Sequence, residues 1–217
     1  MEDIRENKNI DIDNEVKKKQ KGGRFSMLRA SLVLLLAFTV ICGIIYPIAV
    51  TITANTLFPY EANGSVIEVT LADGTKRVFG SELIGQSYEE PRYMFGRVNS
   101  GAPSNLSPES VEYEALVSER VAERKAKLAS IGYTENEAIP DELLTSSGSG
   151  VDPHISVETA YFQIPVIVAA RTKEGAVLTE NDVKEIVDKY TEGRFLGIFG
   201  TKRVNVLLVN LALDGVL

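Results

Sequence analysis

A long uncharged stretch near the start of the chain limits its possible folds more than any other feature. No charged residue lies between Arg29 and Glu61, and the segment from Leu32 to Ala54 is almost entirely apolar. A helix of about 20 mostly apolar residues is long enough to cross a lipid bilayer. We therefore predict one membrane-spanning helix followed by a soluble domain.

Two other interpretations of this stretch compete with an uncleaved anchor. A cleaved signal peptide has an apolar core of about 7–15 residues and a small-residue cleavage site. This core is longer, and the residues from Asn55 to Tyr60 contain no such site. A buried helix of a soluble protein would usually be shorter and would show a polar face. The anchor is therefore favoured, and Pro47 within it is compatible either with packing against other helices or with a lone kinked helix.

The charges that flank the apolar stretch predict its orientation. Before it stand six cations, Lys17, Lys18, Lys19, Lys21, Arg24 and Arg29, whereas the first charges after it are Glu61, Glu68 and Asp73. An excess of Lys and Arg stays on the cytoplasmic side of a membrane. We expect a single-pass protein of the cell membrane, with a disordered cytoplasmic tail (1–25), a transmembrane helix (26–58) and an extracytoplasmic domain (59–217).

Composition gives the outer domain an acidic character. The 217 residues carry a net charge of −7, but residues 1–29 hold eight cations and six anions, so the remainder carries −9. Nucleic-acid binding requires a basic face, and we expect no nucleic-acid partner. The single cysteine, Cys42, lies in the apolar stretch, so no disulfide can form within the chain.

Local patterns predict an α+β domain with a small sheet or hairpin and several helices. Two β-rich runs flank Asp73-Gly74 within residues 65–79, which predicts a hairpin. A helix is predicted from Ser107-Pro108 to Gly132, and a short helical turn over 140–144.

The second half of the domain has clearer helix boundaries. Ser156 predicts a helix up to Ile164 that is kinked or restarted at Pro165. Thr179, with Asp182 three residues later, predicts a helix that ends at Gly193. Residues 204–213 fit both a helix and a strand, with a slight preference for the helix.

A search for catalytic chemistry is mostly negative. Glycine-rich residues 193–202 lack the order and spacing of a phosphate-binding loop, and the D-K-T-G motif of an aspartyl-phosphate pump is absent. Ser149, Asp152 and His154 are too close in sequence to converge easily as a triad. One histidine and one membrane cysteine give no metal-ligand cluster. We therefore predict no catalytic residue and no metal site.

Four arginines lie beside glycines or apolar residues rather than in charged runs. They are Arg97, Arg171, Arg194 and Arg203. A guanidinium group binds carbonyls and carboxylates with a forked geometry. Each could therefore hold loops of the domain together or contact a partner protein.

An ordered set of strings resembles the C subunit of the bacterial Kdp potassium-transporting ATPase, KdpC. The set comprises LRASLVLLLAFTVICGIIYP in the anchor, GSELIGQ at 80–86, Pro91 with Tyr93 and Phe95–Arg97, SNL at 104–106, SGSGVDPHIS at 147–156, Gln163 with Pro165 and Ala170-Arg171, GRFLG at 193–197, RVNVL at 203–207 and NLALD at 210–214. The resemblance runs from about residue 26 to the end of the chain.

The resemblance implies a non-catalytic subunit of a potassium uptake complex. Its partners would be a channel-like potassium-binding subunit and an ATP-hydrolysing P-type subunit, with a small membrane peptide as a possible further subunit. The family is described as a catalytic chaperone that raises the ATP affinity of the hydrolytic subunit. ATP would then be a ligand of the complex, and no cofactor would be bound firmly by this chain.

Two departures from the family pattern bear on its implied functions. The family's glycine- and serine-rich segment corresponds to residues 100–105, but the double glycine expected there is missing, and the charge rule places this segment outside the cell. Nucleotide-binding residues are therefore left unassigned. Val166 also stands where a basic residue is usual.

Motif position selects six candidates for contact with partner subunits. They are Gln86, Arg97, Asn105, His154, Gln163 and Arg171, all polar residues in or near glycine- and proline-rich turns. Two functions of other classes remain as alternatives, a signal-anchored sensor or binding domain and an anchored hydrolase. A sensor would need a cytoplasmic output module, for which residues 1–29 are too short.

Overall fold

The computed structural model describes residues 25–71, 74–130 and 139–217. The chain divides into two compact units between Asn63 and Gly64. The predicted disordered tail lies, except for Phe25, outside the described residues.

The first unit is built around helix α1, Phe25–Leu57, whose most apolar part has a mean hydropathy of 2.6. By length and composition it is the one helix of the described residues that could cross a membrane. Residues Ile41–Ile45 form a π-helical turn in which the Tyr46 N–H donates to the Ile41 carbonyl, directly before Pro47. Such a turn accommodates a proline that cannot donate a hydrogen bond. A short helix α2, Pro59–Ala62, follows.

The hairpin predicted around Asp73-Gly74 is present. Strands β1 (Val66–Thr70) and β2 (Lys76–Ser81) pair antiparallel, with a register shift between Ile67 and Glu68. Gly74 lies in the connection with φ +82°, a conformation that favours glycine, whereas Asp73 lies outside the described residues.

Helix α3 spans Val111–Ser130 and begins later than predicted. Residues 107–110 form a turn closed by the Ser110 N–H and the Ser107 carbonyl at 2.9 Å, and the Ser110 hydroxyl accepts from the Tyr113 N–H. Ser110 therefore caps the helix in place of Ser107. The predicted end at Gly132 lies outside the described residues, and the predicted turn over 140–144 is a 3₁₀ turn at Asp141–Leu143.

Helix α4, Val157–Lys173, begins at the predicted cap, because the Ser156 side chain accepts from the Thr159 N–H. It runs on through Pro165 without interruption, so the predicted alternative of a restart at that residue is wrong. A proline removes only one hydrogen bond of its helix. The apolar residues that follow it, Val166 and Ile167, are buried in the core and hold the second half of the helix in place.

Helix α5, Glu180–Lys189, has the predicted capping box between Thr179 and Asp182. It ends before the predicted Gly193, because the chain turns at Tyr190 into strand β4, Thr191–Glu192.

A second sheet resolves the ambiguity of residues 204–213. Strand β5, Arg203–Asn205, lies between β4 and strand β3, His154–Ile155, and both neighbours are antiparallel to it. Helix α6, Val206–Leu213, follows directly, with the Asn205 side chain accepting from the Leu208 N–H. The segment is therefore strand first and helix afterwards.

The main core of the second unit lies where α4, α5 and α6 meet the sheet of β3, β5 and β4. Its fully buried members are Met94, Ile155, Ala160, Ile164, Ile167, Val183, Val187, Val204, Val206 and Val209. Ile67 of β1 packs separately on Leu207 and Leu211 of α6. The α+β class predicted from the sequence is confirmed.

Candidate functional site

Residues 92–95 lie outside the helices and strands of the second unit, and buried side-chain amides bind the backbone of Met94 and Phe95. The Asn210 amide accepts from the Met94 N–H at 2.8 Å and donates to the Met94 carbonyl at 2.9 Å. The Gln163 amide does the same for Phe95, at 2.8 and 3.1 Å. These two amides take the place of a neighbouring strand and satisfy backbone groups that would otherwise be buried without partners.

Arg171 binds the same segment from α4. Its guanidinium donates to the Arg92 carbonyl at 2.9 Å, to the Leu213 carbonyl at 2.7 Å and to the Asp214 carboxylate at 2.9 Å. Burial alone would raise the pKa of Asp214, but hydrogen bonds from Arg171 and Tyr93 bring it below its ordinary value. This network fixes the end of α6 against residues 92–93.

Gln163 and Arg171, two of the six predicted contact residues, therefore direct their polar atoms inward. Gln163 is 4% exposed and Arg171 7% exposed. Any contact that they make with a partner stays a prediction, whereas their role within the domain is visible in the hydrogen bonds.

Gln86 lies beside the hairpin, where its amide donates to the Phe79 carbonyl at 2.9 Å. Glycine is favoured at position 80, because its φ of +134° is one that other residues rarely adopt. A Cβ there would also lie 1.9 Å from the Gln86 amide nitrogen, so the Gln86 side chain would have to move away from the Phe79 carbonyl. Gln86 therefore joins β2 to the loop that follows it.

Arg97 borders a polar cleft whose other cations come from α3. Its guanidinium donates to the Ser146 carbonyl at 3.3 Å, while its Nε is buried without a hydrogen-bond partner. Asn105 lies apart from the cleft lining, on an exposed loop, with φ +55° in the left-handed region.

His154 lies between two carboxylates. Its Nδ1 is 3.4 Å from Asp152 and its Nε2, which is buried, is 3.5 Å from Glu192. The Ser149 hydroxyl instead bonds the Ser147 hydroxyl at 3.1 Å. Ser149, Asp152 and His154 thus do not form a hydrogen-bonded nucleophile, base and orienter. Nor do the described residues contain a group of three or more His, Cys, Asp or Glu that could hold a metal ion.

An exposed apolar loop joins β4 to β5 and is the feature that the sequence analysis missed. Its four large side chains, Phe195, Leu196, Ile198 and Phe199, are 62–75% exposed. Two backbone hydrogen bonds between Phe195 and Phe199, at 2.9 and 3.0 Å, keep the loop compact. The glycines around it indicated turns, and a run of large apolar residues inside a turn is the signal that could have revealed it. We call residues 195–199 the apolar loop.

Of the other two arginines singled out from the sequence, Arg203 binds Glu192 across the sheet at 2.7 Å, and Arg194 is exposed at the start of the apolar loop.

Comparisons with known proteins agree with this architecture. The family model described as "K+-transporting ATPase, c chain" (KdpC) matches residues 28–215, which include both the apolar helix and the second unit. A KdpC subunit of a potassium-transporting ATPase from Clostridium perfringens is 49% identical over 207 residues, which cover 88% of this chain and 98% of that protein. Its counterpart from Listeria monocytogenes serovar 1/2a is 44% identical, covering 82% of this chain and 90% of that protein. The chain therefore belongs to the KdpC family, the c chains of K+-transporting ATPases.

Proposed function

We propose that this chain is a non-catalytic accessory subunit of an ATP-driven potassium uptake complex in the cell membrane. The observation that carries the proposal is the family match, because it extends over the helix and the outer domain together. The relatives from Clostridium and Listeria are named as subunits of a potassium-transporting ATPase.

The helix supplies one half of the proposed attachment. Its apolar side chains are exposed on every side of α1, and the Thr39 and Thr53 hydroxyls donate to carbonyls one turn earlier at 2.8 Å, so they present no unsatisfied donor to lipid. This helix is proposed to pack against the membrane helices of the larger subunits. The cations before it favour an orientation with the N-terminus in the cytoplasm and the second unit outside, and this orientation is part of the proposal.

The apolar loop supplies the other half. Exposed apolar clusters mark interaction sites, and large aromatic side chains are typical anchors of protein interfaces. Together with Asn105, which is exposed, this loop is the best candidate for docking to the channel-like potassium-binding subunit. The outer domain would then lie over the side at which potassium enters, and the ATP-hydrolysing subunit and a small membrane peptide would complete the complex.

The proposed effect on ATP is indirect. Nucleotide is cytoplasmic, so a domain outside the cell can raise the ATP affinity of the hydrolytic subunit only by favouring one conformation of the complex. Such coupling is reciprocal, so ATP binding would in turn strengthen the docking of this domain to the complex. The chain would thus act as a catalytic chaperone of the hydrolytic subunit, and ATP would be bound through the complex.

Copurification tests this proposal. The tagged chain, extracted from membranes, should bring both large subunits with it, and Ile198→Ser should weaken that association, since it removes an apolar side chain from the docking loop. Val177→Ser is the matched control, because Val177 is also an exposed apolar residue but lies in the loop between α4 and α5. Recovery of the wild-type chain alone would contradict the subunit assignment, and equal recovery with both variants would contradict the role of the apolar loop.

A further inference from the structure

A polar cleft of about 190 Å³ lies between α3 and the loops on either side of residues 92–95. Four cations line it, Arg97 together with Arg120, Arg124 and Lys127 of α3, and so do the carboxylates of Glu89 and Glu123. The outer domain is acidic as a whole, so a concentration of cations at one cleft is a local departure from its composition.

The two carboxylates in the lining are already engaged. Lys127 binds Glu89 and, at 2.9 Å, Glu123. The Glu142 carboxylate accepts hydrogen bonds from the Ser156 N–H and hydroxyl, both at 2.9 Å. Glu142 also lies close enough to Arg97 for the two charges to interact. Lys127 thus neutralises part of the acidic charge of the cleft.

Arg97 and Arg120 donate only to neutral acceptors among the described residues. Arg120 donates to the Leu144 carbonyl at 3.1 Å, and Arg97 to the Ser146 carbonyl. Arg124 stacks its guanidinium over the Phe95 ring at 4.3 Å. No salt bridge to any of the three occurs in the described part of the chain.

Two of these guanidinium groups keep buried donors without a partner. The Nε of Arg97 and one Nη of Arg124 are inaccessible to solvent and make no hydrogen bond among the described residues. Burial also lowers the pKa of Arg124, since the charged form is separated from water. Burial of a cationic group is costly. The carboxylates of Glu123 and Glu89 offset part of that cost for Arg124, and an anion bound against the guanidinium groups that line the cleft would offset more of it.

We propose that this cleft binds a small oxyanion, a phosphate ion or a single carboxylate group. Guanidinium groups match the oxygens of such anions with paired, charge-assisted hydrogen bonds. The volume of the cleft is below the roughly 300–1,000 Å³ of typical small-molecule sites. The cleft therefore fits a small ion or one side chain better than a larger ligand. The anion comes either from solution or from an acidic side chain of a partner subunit.

Isothermal titration of the full chain in detergent with inorganic phosphate tests the proposal, with chloride at matched ionic strength as the reference. We expect saturable binding of phosphate that weakens about tenfold or more in Arg124→Gln, as expected for a lost charge-assisted hydrogen bond. Arg120→Gln provides a second variant, because the Arg120 guanidinium also lines the cleft and donates only to a backbone carbonyl. Arg77→Gln is the matched control, because Arg77 also stacks on a phenylalanine but does not line the cleft.

The same titration on the purified complex distinguishes the two sources of the anion. Unchanged affinity indicates an ion from solution, and loss of phosphate binding on assembly indicates that a partner's carboxylate fills the cleft. Absence of saturable binding to the free chain, or equal affinity in Arg124→Gln, Arg120→Gln and Arg77→Gln, would overturn the proposal.

Discussion

Replacing Gln163 by leucine tests whether side-chain amides, rather than a strand, hold residues 92–95 in the core. The Gln163 amide makes both hydrogen bonds of the Phe95 peptide groups, at 2.8 and 3.1 Å, and is itself 4% exposed. Leucine has a similar size and is apolar, so the variant leaves a buried N–H and a buried carbonyl without partners.

The expected loss follows from those two groups. A buried backbone group left unsatisfied costs about 1–3 kcal/mol, and the apolar burial gained by leucine offsets part of the sum. We expect the free energy of unfolding to fall by about 3 kcal/mol. In a domain of about 150 residues, a loss of 1 kcal/mol in the free energy of unfolding lowers the melting temperature by roughly 2–4 °C. The melting temperature of Gln163→Leu should therefore fall by about 6–12 °C.

Two measurements on the full chain in detergent check this expectation. Thermal unfolding followed by circular dichroism gives the change in melting temperature, and hydrogen exchange read by mass spectrometry on a peptide covering 92–97 should show loss of protection. Gln86→Leu is a graded comparison, because that half-buried amide makes one hydrogen bond, and Val177→Ala is a surface control. A melting temperature within about 2 °C of wild type, with unchanged exchange, would refute the reasoning.

Three further predictions concern other elements of the second unit. Gly80→Ala should destabilise it by about 1–3 kcal/mol, because of the positive φ and the contact that a Cβ would make, and thermal unfolding checks this. The pKa of Asp214 is lowered from its ordinary value of 3.8 in the folded protein. The ionised carboxylate therefore stabilises the fold above pH 3.8, and this contribution is lost as the pH falls through the folded pKa. Asp214→Asn should make the free energy of unfolding less sensitive to acid, which urea unfolding at several pH values measures. Thr179→Ala should cost about 1 kcal/mol through loss of the capping box, again measured by urea unfolding.

Each of these has a control and a result that would count against it. Gly148→Ala is the control for Gly80→Ala, because a Cβ at position 148 would meet nothing within 4 Å. Equal melting temperatures for Gly80→Ala and Gly148→Ala would contradict the expected destabilisation at position 80. An acid transition unchanged by Asp214→Asn would show that other carboxylates dominate it. An unchanged urea midpoint in Thr179→Ala would mean that the tertiary contacts of α5 determine its start.

The elements that the sequence predicted well are those specified by residues close together in the chain. The apolar helix, the hairpin at Asp73-Gly74 and the caps at Ser156 and Thr179 depend on neighbours a few positions apart. Their physical causes, which are burial of apolar surface, turn conformation and unsatisfied helix N–H groups, can be identified in the linear sequence.

The missed features depend on contacts between distant residues. Asn210 binds Met94 across 116 positions and Gln163 binds Phe95 across 68, so nothing local distinguishes these amides from exposed ones. Pro165 predicted an interruption, but burial of the residues after it keeps α4 continuous. The cleft likewise forms only when α3 packs beside the loops around residues 92–95. The apolar loop differs from these features, because its large apolar residues lie close together in the sequence.

Growth under potassium limitation tests the central claim, that this chain is a required subunit of a potassium uptake complex, most directly. Cells that lack this chain, and that have no other high-affinity potassium uptake, should fail to grow at low potassium, and the wild-type chain should restore growth. Normal growth of the deletion strain at low potassium would contradict the account.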